Sequence, residues 1–247
     1  MFKIKQKIIK YLSPIIYTII ISALIFSINI FSFSIGLFDN VGIYINGNNY
    51  IDSQRIEIEI YPQINSSLFS VNLTDIQNKL ESIDYIEAVQ LSRILPHTLM
   101  IHIVERSPIL LINKADEITF MDINGVLLPA DKKSIGTFPV PVLSILDEHG
   151  SLNKYTGGIV QFFQFLLDEY PHFYKNLSEV KIQKGVWEFF SDNNTKIYAN
   201  DTYLKNQLNI LKTFEKTVHP IRNLQDYRYI DLRTKDQVIV KEKYHKG

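Results

Sequence analysis

The longest unbroken pattern along the chain is an apolar one. Residues 11–38 contain no Asp, Glu, Lys, Arg or His, and PIIYTIIISALIFSINIFSFSIGLF fills most of that stretch. A helix crossing the hydrocarbon core of a bilayer needs about 20 apolar residues, so this segment predicts a transmembrane helix. Ser22, Ser27 and Asn29 are tolerable within it, because helical hydroxyls bond back to the preceding turn and an Asn there suits a helix–helix contact. Lys3, Lys5, Lys7 and Lys10 precede it, with no acid before Asp39. The positive-inside rule then keeps the N-terminus cytoplasmic and puts everything after about residue 39 across the membrane. A cleaved signal peptide is the rival reading, and Ser34-Ile-Gly36 is a usable small-x-small pattern. Its apolar region should run only about 7–15 residues, so an uncleaved anchor is expected.

Residues 43–112 read as one small α+β module. GIYINGN is a short strand ending in an Asn-Gly turn. IDSQRIEIEIYPQ opens a helix at Asp52 or Ser53 and stops before Pro62, although RIEIEI alternates with period two and suits a strand as well. NLTDIQNKLESID is a clearer helix. Asn72 or Thr74 caps it, and Leu73, Ile76, Leu80 and Ile83 form one stripe. YIEAVQLSRIL and TLMIHIVERSPI are strands joined around Pro96. In the second of these, Leu99, Ile101 and Ile103 share the face toward the helices, and Met100, His102 and Val104 share the other. Glu105 and Arg106 then point to opposite faces. With His97 at the turn and His102, they read as solvated polar groups, not as a cluster of acid, base and cation.

Residues 113–247 are rich in strand patterns. EITFMDINGVLLP predicts two short strands around a turn at 122–125. FPVPVLSI follows, with Pro139 and Pro141 suiting a sheet edge or an irregular lead-in. GGIVQFFQFLLDEYP is a helix ended by Pro171, apolar on most sides. VKIQKGVWEFFSDNNTKIYA gives hairpin strands turning near Gly185 and 192–194, with Trp187 in the core. DTYLKNQLNILKTFEKTV is an amphipathic helix capped by Asp201 or Thr202, with Leu204, Leu208, Leu211, Phe214 and Val218 as its buried stripe. YRYIDLRTKDQVIVKEKYHKG supplies a strand, a polar turn at 234–236 and a final strand at 237–241.

Composition narrows the chemistry. Hydrophobic residues make up 46% and charged residues 21% of the 247 residues, which is globular, not disordered, composition. A net charge of zero offers no field for nucleic acid, and the lack of cysteine excludes disulfides, thiolate nucleophiles and Cys-ligated zinc. The six histidines, His97, His102, His149, His172, His219 and His245, show no metal-ligand spacing. Neither a nucleophile elbow nor a phosphate-binding loop is present. LDEHG places Asp147, Glu148 and His149 together, which reads as a solvated loop tip. Gly157 and Gly158 precede the predicted helix and could offer N–H groups to an anion, although an ordinary helix start explains them as well. Asp231 and Arg233 share a strand face and are expected to pair with a neighbouring strand. Nothing in the sequence demands an active site, a cofactor or a metal.

The basic tail, the apolar stem, INGNNYIDSQRI, LFSVNLTDIQNKLESIDYIEAVQLSRILPHTLMIHIVERSPI, FMDINGVLL and the terminal YIDLRTKDQVIVK together resemble the FtsQ/DivIB family of bacterial cell-division proteins. The family usually has Trp-Pro before TL, where this chain has Leu95-Pro96. The resemblance implies a cytoplasmic tail at 1–10, a transmembrane helix at 11–38, a POTRA domain at 39–112 and an FtsQ-type β domain at 113–247. It implies a non-enzymatic scaffold that crosses the inner membrane once, its N-terminus cytoplasmic and the remainder periplasmic, at the division septum. That scaffold would bind an FtsB/FtsL complex through its last strands and other division proteins through the POTRA domain, with neither nucleic acid nor a small-molecule substrate. Carried onto this chain, the partner-binding residues are Tyr229, Asp231, Arg233, Asp236, Gln237, Val238, Ile239, Val240 and Lys241. The family's aromatic after Arg is Thr234 here, so an anchor at that point is absent or moved to Tyr227 or Tyr229.

Strand addition at the final strand suits the physics of an open sheet edge. Lys235, Lys241, Glu242 and Lys243 argue the other way, as charges that blunt an edge. Two other functions compete with the scaffold. One is a membrane-anchored periplasmic hydrolase using Asp147, Glu148 and His149. The other is a chaperone-like POTRA protein of outer-membrane assembly, for which roughly 200 exported residues leave no room for a barrel.

Overall fold

The computed structural model describes residues 2–64, 67–114, 117–145, 152–219, 221–235 and 237–243. It divides into two compact units, Met1–Glu105 and Arg106–Gly247. It is a mixed α+β protein.

The first unit opens with α1 (Phe2–Ser34), within which Pro14–Ser32 is long and apolar enough to cross a membrane, with a mean hydropathy of 2.2 and no part buried. The polar side chains of this helix do bond back along it: Ser27 to the Ala23 carbonyl and Asn29 to that of Ile25, each at 2.8 Å. Three strands follow, β1 (Gly42–Asn46), β2 (Ile86–Ile94) and β3 (Thr98–Glu105). They lie in the order β1-β3-β2, with β1 parallel and β2 antiparallel to β3. Helices α2 (Ser53–Ile60) and α3 (Leu73–Glu81) separate β1 from β2 in sequence. RIEIEI is helical because Asp52 accepts the Gln54 N–H as N-cap and because Ile56 and Ile60, one turn apart, both go fully inside. Ile58, the residue between them, is 73% exposed. Asn72, not Thr74, caps α3, which packs on β2; Ile76 and Leu80 form its buried stripe, and Leu99, Ile101 and Ile103 of β3 are buried as well.

Glu105 is not a solvated strand polar. Its carboxylate accepts the backbone N–H groups of Asn49, Tyr50 and Ile51 at 2.8–3.1 Å. It thereby satisfies donors of the β1-to-α2 loop that no strand or helix takes up. Nor is Arg106 free in solvent: it pairs with Asp122 at 2.8 Å. The boundary between the two compact units falls after Glu105. Pro108 cannot donate a ladder bond and begins a new strand, β4 (Pro108–Lys114), in the second unit's sheet.

The second unit is built on nine strands among the described residues. Besides β4 they are β5 (Glu117–Asp122), β6 (Leu127–Pro129), β7 (Val142–Ile145), β8 (Leu177–Gln183), β9 (Val186–Ser191), β10 (Lys196–Asn200), β11 (Tyr227–Asp231) and β12 (Ile239–Glu242). Their order is β12-β11-β10-β9-β8-β7-β4-β5-β6. β7 is therefore interior, parallel to both neighbours, and its two prolines lie just before the strand, where the Pro141 carbonyl still accepts the Leu111 N–H of β4 at 3.0 Å. Asp122 organises the β5-to-β6 hairpin. Its buried carboxylate accepts from Asn124 N, Val126 N and the Arg106 guanidinium, while Gly125 supplies the φ of 82° that the turn needs.

A short helix, α4 (Lys132–Thr137), precedes β7. Then come α5 (Leu152–Glu169), α6 (Pro171–Lys175) and α7 (Leu204–Val218). Ile159, Phe162, Phe163 and Leu166 of α5 and Leu204, Leu208 and Leu211 of α7 join one core with Val180, Trp187, Phe189, Ile197 and Ile230 of the sheet. Two expectations change here. Gly157 and Gly158 lie inside α5, so they offer no free N–H groups at a helix start. Neither Asp201 nor Thr202 caps α7, because a 3₁₀ turn at Asp201–Tyr203 intervenes. Asp201 instead accepts the Trp187 indole N–H at 3.0 Å.

Two glycines should respond oppositely to alanine. A Cβ at Gly47 (φ 83°) would sit 2.0 Å from the Ile103 carbonyl oxygen, whereas one at Gly158 meets nothing within 4 Å. In urea unfolding, Gly47→Ala is expected to lower stability by well over about 1 kcal/mol. Gly158→Ala should raise it by about 0.5–1 kcal/mol, because glycine is costly in a helix interior.

Candidate protein-binding edge of the second sheet

β12 is the outermost strand. It pairs antiparallel with β11 through Ile239 with Asp231, Val240 with Ile230 and Lys241 with Tyr229. Its other side meets no strand among the described residues, so half of its backbone groups lack a ladder partner. Directly paired residues share a sheet face, which fixes three rows. Val240 continues the row of Ile197 and Ile230 on the core side. Ile239 continues the row of Tyr198 and Asp231 on the outer side, beside the row of Lys196, Tyr229 and Lys241. Ile197 and Ile230 are buried, yet Val240 is 37% and Ile239 44% exposed. The apolar row thus runs one strand beyond the helices that cover it. Val238, just before β12, is half-buried against the core.

Both ends of β12 are fastened. At the start, Gln237 N–H donates to the Thr234 carbonyl across the turn. At the end, Glu242 pairs with Arg222 at 3.0 Å and Lys243 N–H donates to the Asp226 carbonyl at 2.9 Å, while its ammonium donates to the Asn193 carbonyl. Two of the four charges that were candidates for blunting the edge, Glu242 and Lys243, are therefore engaged within the fold. Lys235 and Lys241 remain exposed.

Asp231 and Arg233 pair with each other, not across to a neighbouring strand. The guanidinium donates to both carboxylate oxygens, at 2.9 and 2.5 Å, and Arg233 N–H donates to one of them at 3.0 Å. Those hydrogen bonds hold the Asp231 carboxyl below the usual carboxylate range and push the Arg233 pKa up. The guanidinium also lies 5.2 Å from the centre of the Tyr198 ring, and Asn200 donates to the Arg233 carbonyl at 3.3 Å. Tyr198 and Asn200 were absent from the sequence reading. Their part depends on β10 running parallel beside β11, and no local pattern announces such a pairing.

The predicted residues Tyr229, Asp231, Arg233, Gln237, Val238, Ile239, Val240 and Lys241 thus lie along one rim, while Asp236 falls outside the described residues. So do Asp147, Glu148, His149 and His245. His97 and His102 are exposed, the latter bonded to Asn46 at 2.6 Å, and His172 sits 3.7 Å from Glu215. Glu215 also accepts the Tyr170 hydroxyl, whose pKa burial drives up, so that it stays protonated.

Residues 42–106 match the POTRA domain of FtsQ type. The chain is similar to the cell division protein FtsQ of Rickettsia conorii, 27% identical over 203 residues, which is 82% of this chain and 71% of the relative. The FtsQ protein of Rickettsia bellii is 28% identical over 214 residues, with the same shares. That of Koribacter versatilis is 24% identical over 144 residues, 57% of this chain and 41% of the relative. These matches agree with the resemblance read from the sequence.

The pair of Asp231 and Arg233 has a pH signature. A carboxyl whose folded pKa is depressed stabilises the fold above its ordinary value of about 4 and loses that contribution as pH falls through the depressed value. Asp231→Asn should therefore be less stable than the native chain at neutral pH. The gap should close as unfolding is measured at successively lower pH, below about 4.

Proposed function

We propose that this chain, with its FtsQ-type POTRA domain and its likeness to FtsQ proteins over most of its length, is a non-enzymatic scaffold of the bacterial division machinery. α1 holds it in the inner membrane with a cytoplasmic N-terminus, and the rest is periplasmic, at the septum. The β12 rim receives an extended segment of FtsB, within an FtsB–FtsL complex, as an additional strand. The POTRA domain faces other division proteins.

One observation carries the partner reading. Among the described residues the outermost strand has an open backbone side; the apolar core row reaches it uncovered at Val240, and Ile239 is exposed on its outer face. Magnitudes decide what such a rim needs. The four residues of β12 direct N–H and C=O groups outward only at alternate positions. That gives roughly four bonds, each worth about 0.5–1.5 kcal/mol net. Micromolar affinity requires about 8 kcal/mol, before the cost of ordering an extended segment. Backbone pairing alone falls short, so apolar contact with Ile239 and Val240 supplies much of the difference. Thr234 offers no ring where the family has an aromatic. Tyr229, half-buried one strand inward, provides aromatic surface within reach of the same rim.

Substitution at the rim tests this. Ile239→Glu places a charge on an exposed side chain, and Val238→Pro stiffens the lead into β12. Both should reduce FtsB co-purification about tenfold or more, as loss of roughly 1.4 kcal/mol would, with circular dichroism and thermal unfolding little changed for Ile239→Glu. Undiminished co-purification with both variants would remove β12 as the contact.

A further inference from the structure

The point where α1 meets the first folded unit is a built joint. Gly36 adopts φ 62°, and Leu37 N–H donates to the Ser32 carbonyl at 3.2 Å. This is the six-to-one bond that ends a helix with a left-handed residue. The chain does not run on as a loose tether. Asp39 bridges to Ser67, Leu68 N–H donates to the Phe38 carbonyl at 2.9 Å, and the rings of Phe38 and Phe69 meet edge-on at 4.8 Å.

The loop receiving the joint is locked from its other side. Arg93 of β2 donates to the carbonyls of Leu68 and Val71, at 3.0 and 2.7 Å. Leu68 and Val71 are buried. Ser70 N–H donates to the Ser67 carbonyl at 3.0 Å, closing a turn. Phe69 sits at that turn, held by its neighbours on both sides and yet 53% exposed. Leu37, 41% exposed, lies immediately after the helix. An exposed Phe on a rigid turn makes poor use of its apolar surface in water. Next to the end of a bilayer-spanning helix it occupies the level at which aromatic side chains gather at the membrane surface.

We infer that Phe69, with Phe38 and Leu37, inserts into the outer interface of the bilayer and sets the POTRA domain against the lipid surface in a fixed orientation. This rests on the reading of α1 as a membrane anchor. The occupant of the patch is lipid, because the patch is continuous with the helix that lipid already surrounds. Several hydrogen bonds tie the two together, so one cannot enter the bilayer without bringing the other to its surface.

The chain has no cysteine, so single-cysteine variants of the full-length protein carry one nitroxide each. Ser70→Cys reports beside an intact Phe69, and Ile25→Cys reports from within the span. Both are reconstituted in liposomes of phosphatidylethanolamine and phosphatidylglycerol, and collisional access to oxygen and to a water-soluble nickel chelate is compared. The label at 70 should show an oxygen-to-nickel ratio several-fold above that of free label in buffer, and below that at 25. Adding Phe69→Ser should move the label at 70 toward the aqueous value and leave the label at 25 unchanged. An aqueous ratio at 70 with a lipid-like ratio at 25, or no response to Phe69→Ser, overturns the insertion alone. An aqueous ratio at 25 overturns the anchor, and the insertion with it.

Discussion

Among the described residues β12 has no neighbouring strand on one side, and the rest of the functional account depends on that open backbone. Buried or not, N–H and C=O groups must find partners in water, in the fold or in another chain. On β12 the first choice is weakened by the apolar side chains Ile239 and Val240, which stand beside the open groups. The second is used up on the inner side by β11. The fastening of Glu242 and Lys243 to the body of the unit keeps the strand in place, so the proposed partner would meet a preformed template. Preorganisation of this kind reduces the ordering cost of binding on the scaffold's side.

The supports beneath the rim are ordinary packing and hydrogen bonding. α7 covers β10 and β11 with Leu204, Leu208 and Leu211, and Trp187 is held by Asp201 at the end of β10. The bidentate pair of Asp231 and Arg233, capped by the Tyr198 ring, stiffens the exit from β11 on the outer face. In the first unit Glu105 and Arg93 do comparable work. Each satisfies backbone groups of a loop from a strand, so the loops at 49–51 and 68–71 become fixed parts of the module.

Much of this was legible in the sequence where the determining interactions are local. Asp52 and Asn72 announced their helices, the spacing of Ile76 and Leu80 announced the buried stripe, and the alternation of Leu99, Ile101 and Ile103 announced the core face of β3. The rim residues were identified through a resemblance, and their alignment along one edge follows from strand order. What stayed hidden was non-local. The parallel pairing of β10 with β11, the interior place of β7 and the partners of Glu105 and Arg106 all join residues far apart in the chain. The earlier start of α5 was hidden for a different reason: Gly157 and Gly158 look like a helix boundary, yet they lie exposed within α5.

Amide hydrogen exchange at residues 239–242, with and without FtsB, tests the central claim most directly. Groups of β12 facing β11 should already be protected in the free protein, while those on the open side exchange rapidly and gain protection when the partner binds. Open-side amides that are slow in the free protein, or that stay fast in the complex, would contradict the account.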